Sequence, residues 1–167
     1  MGFNMENLKK LVIDLLVEDA RYTTKELSAM LNADEESVAM AVKELEKDGI
    51  IVKYSAIINT EAMNSAKVQA LIEVKVAPQK LNGFDSYAEE IYHFSEVKSL
   101  YLMSGGFDLA VFVEGNSLAD ISKFIAEKLS VIDGITSVQT HFILKKYKIE
   151  GQVACLKDEN KRQIIQA

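Results

Sequence analysis

The spacing of the apolar residues changes once along this chain, from the period of a helix to the period of a strand. Before about residue 50 they recur every three or four positions, first at Leu8, Leu11, Val12, Leu15 and Leu16, which is the stripe of an amphipathic helix. From Val68 to Val76 they occupy every second position, as in a strand with one dry face. The change predicts a helical unit followed by a mixed one, and 167 residues are enough for two small domains.

Two further helices are predicted by the residues at their ends. Thr23 and Glu26 have the spacing of a capping box, in which each side chain accepts a hydrogen bond from the other residue's backbone N–H. The helix that follows is predicted to turn inward Leu27, Met30 and Leu31. Asp34 is the predicted N-cap of a third helix that ends at Gly49, because glycine favours the position after a helix. The core face of this third helix is predicted to be Val38, Ala41, Val42 and Leu45.

The β-branched run over residues 50–58 predicts a strand that forms a wing. Three helices followed by a strand, with a tight turn between the second and third helices, are typical of a winged helix-turn-helix. We therefore assign residues 1–59 to a winged helix-turn-helix DNA-binding domain. Residues 60–67 are polar and small without a clear period, and we assign them to a hinge.

The rest of the chain predicts a ferredoxin-like βαββαβ domain over residues 68–150, so the fold class is α+β. The predicted strands cover residues 68–76, 97–103, 107–113 and 138–144, and the predicted helices cover residues 84–94 and 118–129. Such a domain is a four-stranded antiparallel sheet with two helices on one face. We expect a partner chain to cover the other face, because an open apolar sheet face invites association. Residues 151–167 are predicted to be a C-terminal tail with a helix around residues 157–165.

Composition argues against several classes of protein. Two histidines and the single Cys155 provide no metal-ligand cluster and no intrachain disulfide, and no glycine-rich phosphate loop is present. We expect no cofactor, no catalytic residues and no metal, so the protein is predicted not to be an enzyme. No apolar run approaches the roughly 20 residues that span a bilayer, and the first residues do not have the pattern of a secretory signal. The expected compartment is the cytoplasm, without a membrane partner.

The two halves together resemble the Lrp/AsnC family of feast/famine regulators over about residues 5–148. The resemblance rests on residues 16–21, 25–28 and 43–51 in the first domain, and on residues 103–109 and 136–144 in the second. It implies a transcriptional regulator that binds double-stranded DNA with its third helix. It also implies a homodimer formed through the ferredoxin-like domains, often assembled into an octamer, with amino-acid effectors in clefts between subunits.

The side chains opposite the core stripe of the third helix are the expected DNA contacts, because that face of a helix-turn-helix enters the major groove. With additions from the second helix and the wing, the predicted set is Lys25, Glu36, Ser37, Met40, Lys43, Lys47 and Lys53. Residues 1–59 hold seven basic and eleven acidic residues, a net charge of −4. The family usually has arginine where this chain has Ala41. We therefore expect weak DNA binding that salt reduces quickly.

The predicted effector site begins in the loop Ser104, Gly105, Gly106, Phe107 and Asp108. One interpretation is a hairpin turn in which the glycines supply positive φ. In the other, the glycine N–H groups bind a carboxylate while Asp108 pairs with an ammonium group, as an amino acid requires. The family's effector-responsive positions correspond to Asp108, Leu118, His141, Phe142 and Ile143, with Thr140 adjacent. Leu118, Phe142 and Ile143 are predicted to form an apolar wall.

Two other functions remain open at this point. One is an amino-acid sensor, or a subunit of a heteromer, that keeps the fold but has lost useful DNA affinity, as the acidic first domain suggests. The other is an enzyme similar to sirohaem decarboxylases, which resemble Lrp/AsnC proteins in both domains. Such an enzyme needs basic and histidine side chains for its substrate's carboxylates and iron, and this chain has few of them.

Overall fold

The computed structural model describes residues 4–60, 67–77 and 83–154. The chain divides into two units, Met1–Ile57 and Ile58–Ala167. Most of the predicted hinge and the predicted helix around residues 157–165 lie outside the described residues.

The first unit contains three helices, α1 (Met5–Glu18), α2 (Thr24–Leu31) and α3 (Glu35–Lys47). The capping box is formed as predicted, because Glu26 Oε2 accepts from the Thr23 N–H at 2.8 Å and Thr23 Oγ1 accepts from the Glu26 N–H at 3.3 Å. Asp34 caps α3 by accepting from the Ser37 N–H at 2.9 Å. The buried core is Leu8, Val12, Leu27, Val38, Ala41 and Leu45. The predicted stripes of α1 and α3 thus face one another.

Gly49 ends α3 as predicted, with a φ of 69°. Its N–H donates to the carbonyl of Glu46, and the Ile50 N–H donates to the carbonyl of Leu45. This pair of hydrogen bonds is a Schellman motif. It satisfies two of the carbonyl groups that a helix end leaves without intrahelical donors.

Two predictions for the first unit are wrong. Met30 is 51% exposed, because Leu27 and Leu31 turn to the core and Met30 lies about 80° around the helix from their midpoint. The wing strand over residues 50–58 is not formed, and residues 52–59 have no regular secondary structure. A β-branched run becomes a strand only where a neighbour completes its hydrogen bonds, and no described strand pairs with this segment. Val52 is 89% exposed there.

The second unit has the predicted βαββαβ order. Its elements are β1 (Val68–Val76), α4 (Asp85–Tyr92), β2 (Val97–Leu102), β3 (Leu109–Gly115), α5 (Leu118–Phe124) and β4 (Ile135–Phe142). A π-helical turn, Ile125–Leu129, continues α5. The sheet order is β2-β3-β1-β4 and every pair is antiparallel. The four-stranded antiparallel sheet confirms the ferredoxin-like prediction.

The alternation along β1 decides which face of the sheet is covered. Ala70, Ile72 and Val74 are fully buried and belong to one core cluster with Tyr87 of α4 and Phe124 of α5. The residues between them point to the opposite face of the sheet. The core cluster contains no described element of this unit that covers that face. On that face Tyr101 and Phe112 meet edge to face, with ring centroids 5.9 Å apart.

A short hairpin follows β4 that the sequence did not predict. It pairs β5 (Lys148–Ile149) with β6 (Gln152–Val153). Glu150 has a φ of 43° and Gly151 a φ of 82°, and two positive φ values at the central residues are the geometry of a type I′ turn. Residues 151–154 therefore belong to a hairpin and not to the predicted tail.

Candidate nucleic-acid interface and effector site

The outer face of α3 is exposed along its whole length. Glu36, Met40, Lys43 and Lys47 are exposed and lie on the side opposite the buried Val38, Ala41 and Leu45. Lys25 of α2 and Lys53 are exposed as well, although Lys53 lies in the segment without regular structure. Ser37 is half-buried, and its hydroxyl donates to Asp34 at 3.2 Å. The predicted contact of Ser37 with DNA therefore competes with a helix cap.

Several acidic residues of the first unit are engaged with partners inside the unit. Lys9 of α1 pairs with Glu44 of α3 at 2.9 Å, and this hydrogen bond raises the pKa of Lys9. Arg21 pairs with Asp19 at 2.6 Å and lowers the pKa of that carboxyl to about 2. These pairs leave the net charge of −4 unchanged, but each places a carboxylate beside a cation of the same unit. Sequence reasoning missed the Lys9–Glu44 pair because the two residues meet only through helix packing.

The loop of residues 104–108, called the glycine loop below, joins β2 to β3. The Asp108 N–H donates to the Val74 carbonyl at 3.0 Å, and Asp108 Oδ2 accepts from the Val76 N–H at 2.9 Å. Neither Gly105 nor Gly106 has a positive φ, so the hairpin interpretation is wrong about why glycine is needed. A Cβ added at either glycine meets no atom within 4 Å. Both glycines thus present open backbone to their surroundings.

Phe142 and Ile143 lie toward the opposite end of the sheet, and Thr140 and His141 lie nearer its middle. Phe142 pairs with Ala70 and Thr140 with Ile72, whereas the glycine loop binds β1 at Val74 and Val76. At ~3.3 Å per residue, Ala70 and Val76 are about 20 Å apart. Leu118 is 56% exposed and Phe142 38%, so the predicted apolar wall is not a closed pocket within one chain. Within one chain the structure does not bring the predicted site residues together as one group.

His141 is held on the face of the sheet away from the helices. Its Nε2 lies 3.2 Å from Glu73 Oε1 on β1, and both side chains are only partly exposed. The sequence offered no signal for this pairing, because it depends on the register of β1 against β4. His141 therefore has a partner inside the chain.

The second unit has a cavity of about 320 Å³ that is lined in part by Leu102 and Leu109, at the two ends of the glycine loop. A cavity of about 500 Å³ lies away from that loop and is lined by charged residues that include Glu96, Glu114 and Lys128. Lys128 pairs with Glu96 at 2.6 Å, while Gln69 and Lys67 donate to Glu114 at 2.9 and 3.0 Å. These hydrogen bonds lower the pKa of both carboxyls. The charges in this cavity are thus largely satisfied by one another.

Two kinds of feature are absent from the described residues 4–60, 67–77 and 83–154. No group of three or more histidine, cysteine, aspartate or glutamate residues is placed to hold a metal ion. No helix among them has the length and apolar character needed to cross a membrane.

Two family models match the two units. Residues 5–52 match a winged helix-turn-helix of the DNA-binding type, and residues 69–153 match the Lrp/AsnC ligand binding domain. The fold and these matches define a transcriptional regulator with a DNA-binding unit and a ligand-binding unit. The chain belongs to the Lrp/AsnC family.

Individual relatives agree with this assignment. The chain is 41% identical over 155 residues to the HTH-type transcriptional regulator YugG of Bacillus subtilis, covering 92% of this chain and 93% of YugG. It is 33% identical over 139 residues to the regulator LrpA of Pyrococcus abyssi, covering 83% and 96%. A transcriptional regulator of Neisseria meningitidis, solved as a complex with L-Met, aligns with a TM-score of 0.66 at 26% identity, covering 89% and 94%.

Proposed function

We propose that this regulator assembles from copies of the chain, binds DNA with the outer face of α3, and responds to an amino acid bound between copies. The regulator of Neisseria meningitidis supports the amino-acid class, because its structure contains L-Met. The observation that carries the proposal is the open backbone of Gly105 and Gly106. A side chain at either position would meet no atom of this chain within 4 Å. The natural reason for glycine there is therefore the close approach of a ligand or of another copy of the chain.

The glycine loop has the chemistry that an amino acid needs. Backbone N–H groups without neighbouring side chains can approach a carboxylate closely, as they do in other anion sites. Asp108 uses Oδ2 for the Val76 N–H, and its other oxygen is the proposed acceptor for the ammonium group. Ser104 and Phe107 flank this position in the proposal.

A second copy supplies the rest of the proposed site. One chain does not surround a small ligand with the glycine loop and all of the other proposed residues, which are Leu118, Thr140, His141, Phe142 and Ile143. Phe142 pairs with Ala70, toward the far end of β1 from the glycine loop. The face that carries Tyr101 and Phe112 supports a homodimer, because aromatic residues are enriched in protein interfaces. We propose that such dimers assemble further to an octamer and place the two groups of residues at one cleft.

The DNA contacts we propose are Lys25, Glu36, Met40, Lys43, Lys47 and Lys53, with Ser37 at the edge of the set. All but Ser37 are exposed, and the lysines have no ion-pair partner among the described residues. Binding by these lysines is expected to be modest in strength and sensitive to salt.

The effector is tested by thermal unfolding of the full chain with each of the twenty amino acids, starting with L-methionine. We expect at least one to raise the unfolding midpoint, since a ligand that binds only the folded state stabilises it. The Gly106→Ala variant should lose this rise, and Gly49→Ala in the first unit, also an exposed glycine, should keep it. An equal rise in Gly106→Ala and wild type would place the ligand elsewhere.

The assembly is tested by sizing the protein with and without the stabilising amino acid. We expect a dimer or larger species in both conditions. A monomer in both would remove the proposed cleft between copies. A protein that is stabilised by an amino acid but binds no DNA fragment would instead be a sensor without a DNA-binding role.

A further inference from the structure

Glu36 stands in the first turn of α3, on the stripe that also contains Met40, Lys43 and Lys47. All four side chains are exposed, and at about 100° per residue they lie within a narrow sector opposite the core. Among the described residues, no hydrogen-bond or ion-pair partner of the Glu36 carboxylate is found. The stripe therefore carries one unengaged negative charge together with two lysines.

Three other acids around this stripe are engaged inside the unit. Asp34 accepts from the backbone N–H and the hydroxyl of Ser37. Glu44 on one side of the stripe pairs with Lys9 at 2.9 Å. Glu46 on the other side accepts from the Tyr54 hydroxyl at 3.0 Å. Their carboxylates are held away from the outer face, whereas the Glu36 carboxylate is not.

A carboxylate at the start of a recognition helix is repelled by phosphates, so it is tolerated in the major groove only where it meets a donor. The donors on the base edges there are the N4 amino group of cytosine and the N6 amino group of adenine. Adenine places its N7 acceptor beside that donor, and a carboxylate has no hydrogen to give it. Cytosine has no such acceptor on its own edge, so it is the better partner.

We propose that Glu36 determines part of the DNA sequence specificity by accepting a hydrogen bond from a cytosine N4 amino group in each half-site. The inference rests on the proposed binding of DNA through α3, and it adds which base this side chain selects. Residues at the start of the second helix of a helix-turn-helix contact base edges, which is where Glu36 lies. Lys43 and Lys47, farther along the stripe, act on phosphates and carry no base preference.

The test selects bound duplexes from a randomised DNA library with the full chain, for wild type, Glu36→Gln and Glu35→Gln. Glu35 is the matched control, because it is an exposed glutamate of the same turn but lies about 100° away around the helix. Thermal unfolding midpoints of the three proteins check that each is folded. Both variants remove one negative charge, so a general gain in affinity is expected in both.

We expect wild type to select a cytosine at one position of each half-site, with replacement of that base weakening binding about tenfold or more. Glu36→Gln should change the preference there to adenine, since glutamine pairs with adenine N6 and N7. Glu35→Gln should select the wild-type site. If the Glu36→Gln variant selects the same base preferences as wild type, this inference alone is overturned. Selection of no site by wild type would overturn it together with the proposed DNA binding.

Discussion

Asp108 ties the glycine loop to Val76 of the neighbouring strand β1, with Oδ2 accepting from the Val76 N–H at 2.9 Å. The contact is partly buried, and it lies beyond the end of the β1–β3 ladder, whose last pair is Val74 with Leu109. A backbone N–H beyond the end of a ladder has no strand partner, and the Asp108 carboxylate serves as its acceptor. Asp108 therefore has a structural role in addition to its proposed role in effector binding.

The two roles of Asp108 predict different outcomes for two substitutions. Asp108→Ala removes the acceptor and should lower the free energy of unfolding by about 1–3 kcal/mol. Asp108→Asn keeps an acceptor oxygen and should lower the free energy of unfolding by less. It also removes the charge that the ammonium group of an effector needs. Urea unfolding measures the first effect, and the shift of the unfolding midpoint by an amino acid measures the second. Equal losses of stability in the two variants would argue against the acceptor role.

Gly134 is the glycine whose replacement should destabilise the second unit most clearly. Its φ is 87°, and a Cβ there would overlap the hydroxyl of Tyr87, which donates to the Ala77 carbonyl at 3.1 Å. Gly134→Ala should lower the free energy of unfolding by about 2–4 kcal/mol, because it strains the backbone and displaces a buried ring.

Urea unfolding of Gly134→Ala is compared with that of Gly105→Ala, where the added Cβ meets no atom and the expected change is within about 0.5 kcal/mol. Tyr87→Phe in the Gly134→Ala background should recover part of the loss, because the overlapping oxygen is gone. A Gly134→Ala protein as stable as wild type would contradict this account of the contact.

Lys43 and Lys47 are predicted to act on DNA through charge alone. Lys43→Ala should weaken binding to every sequence and reduce the slope of log affinity against log salt by about one. Lys10→Ala makes the same charge change on the exposed surface of α1 and serves as the control. Binding titrations at several salt concentrations give both slopes. The same change of slope in both variants would show that α3 is not the principal contact.

Glu114 predicts a contribution to stability that depends on pH. Hydrogen bonds from Gln69, and then from Lys67, hold its pKa below the ordinary value of 4.5. The ionised form is thus favoured in the folded state. Its stabilising contribution is complete above that ordinary value and is lost as the pH falls through the lowered pKa of the folded state.

Unfolding free energies of wild type and Glu114→Gln, measured from neutral to acid pH, test this sign. We expect the difference between them to shrink as the pH falls below about 4.5. Glu90→Gln on the exposed side of α4 is the control for a change of charge without those hydrogen bonds. A difference that grows toward acid pH would have the wrong sign for this mechanism.

The features predicted correctly are those that depend on short stretches of chain. The capping box of Thr23 and Glu26, the cap at Asp34 and the end of α3 at Gly49 all depend on neighbours within five residues. The alternation of apolar residues along β1 also predicted its buried face, because the period of a strand places every second side chain on one face. The order of the elements then indicated the ferredoxin-like arrangement.

Two of the failures occur where a residue depends on distant parts of the chain. The run over residues 50–58 has the composition of a strand but no described partner strand. The effector residues were grouped by their resemblance to a family, whereas the antiparallel register puts the glycine loop and Phe142 at opposite ends of β1. The hairpin at Glu150 and Gly151 had a signal in its Glu-Gly pair, although a weak one.

By itself the sequence determined the kinds of element, their ends and the side of each that turns to a core, because periodicity and capping are local properties. The tertiary structure alone decided which charges meet, as in Lys9 with Glu44 and Glu73 with His141, and which glycines are crowded. Those outcomes depend on strand register and helix packing, which bring together residues whose separation along the chain carries no signal.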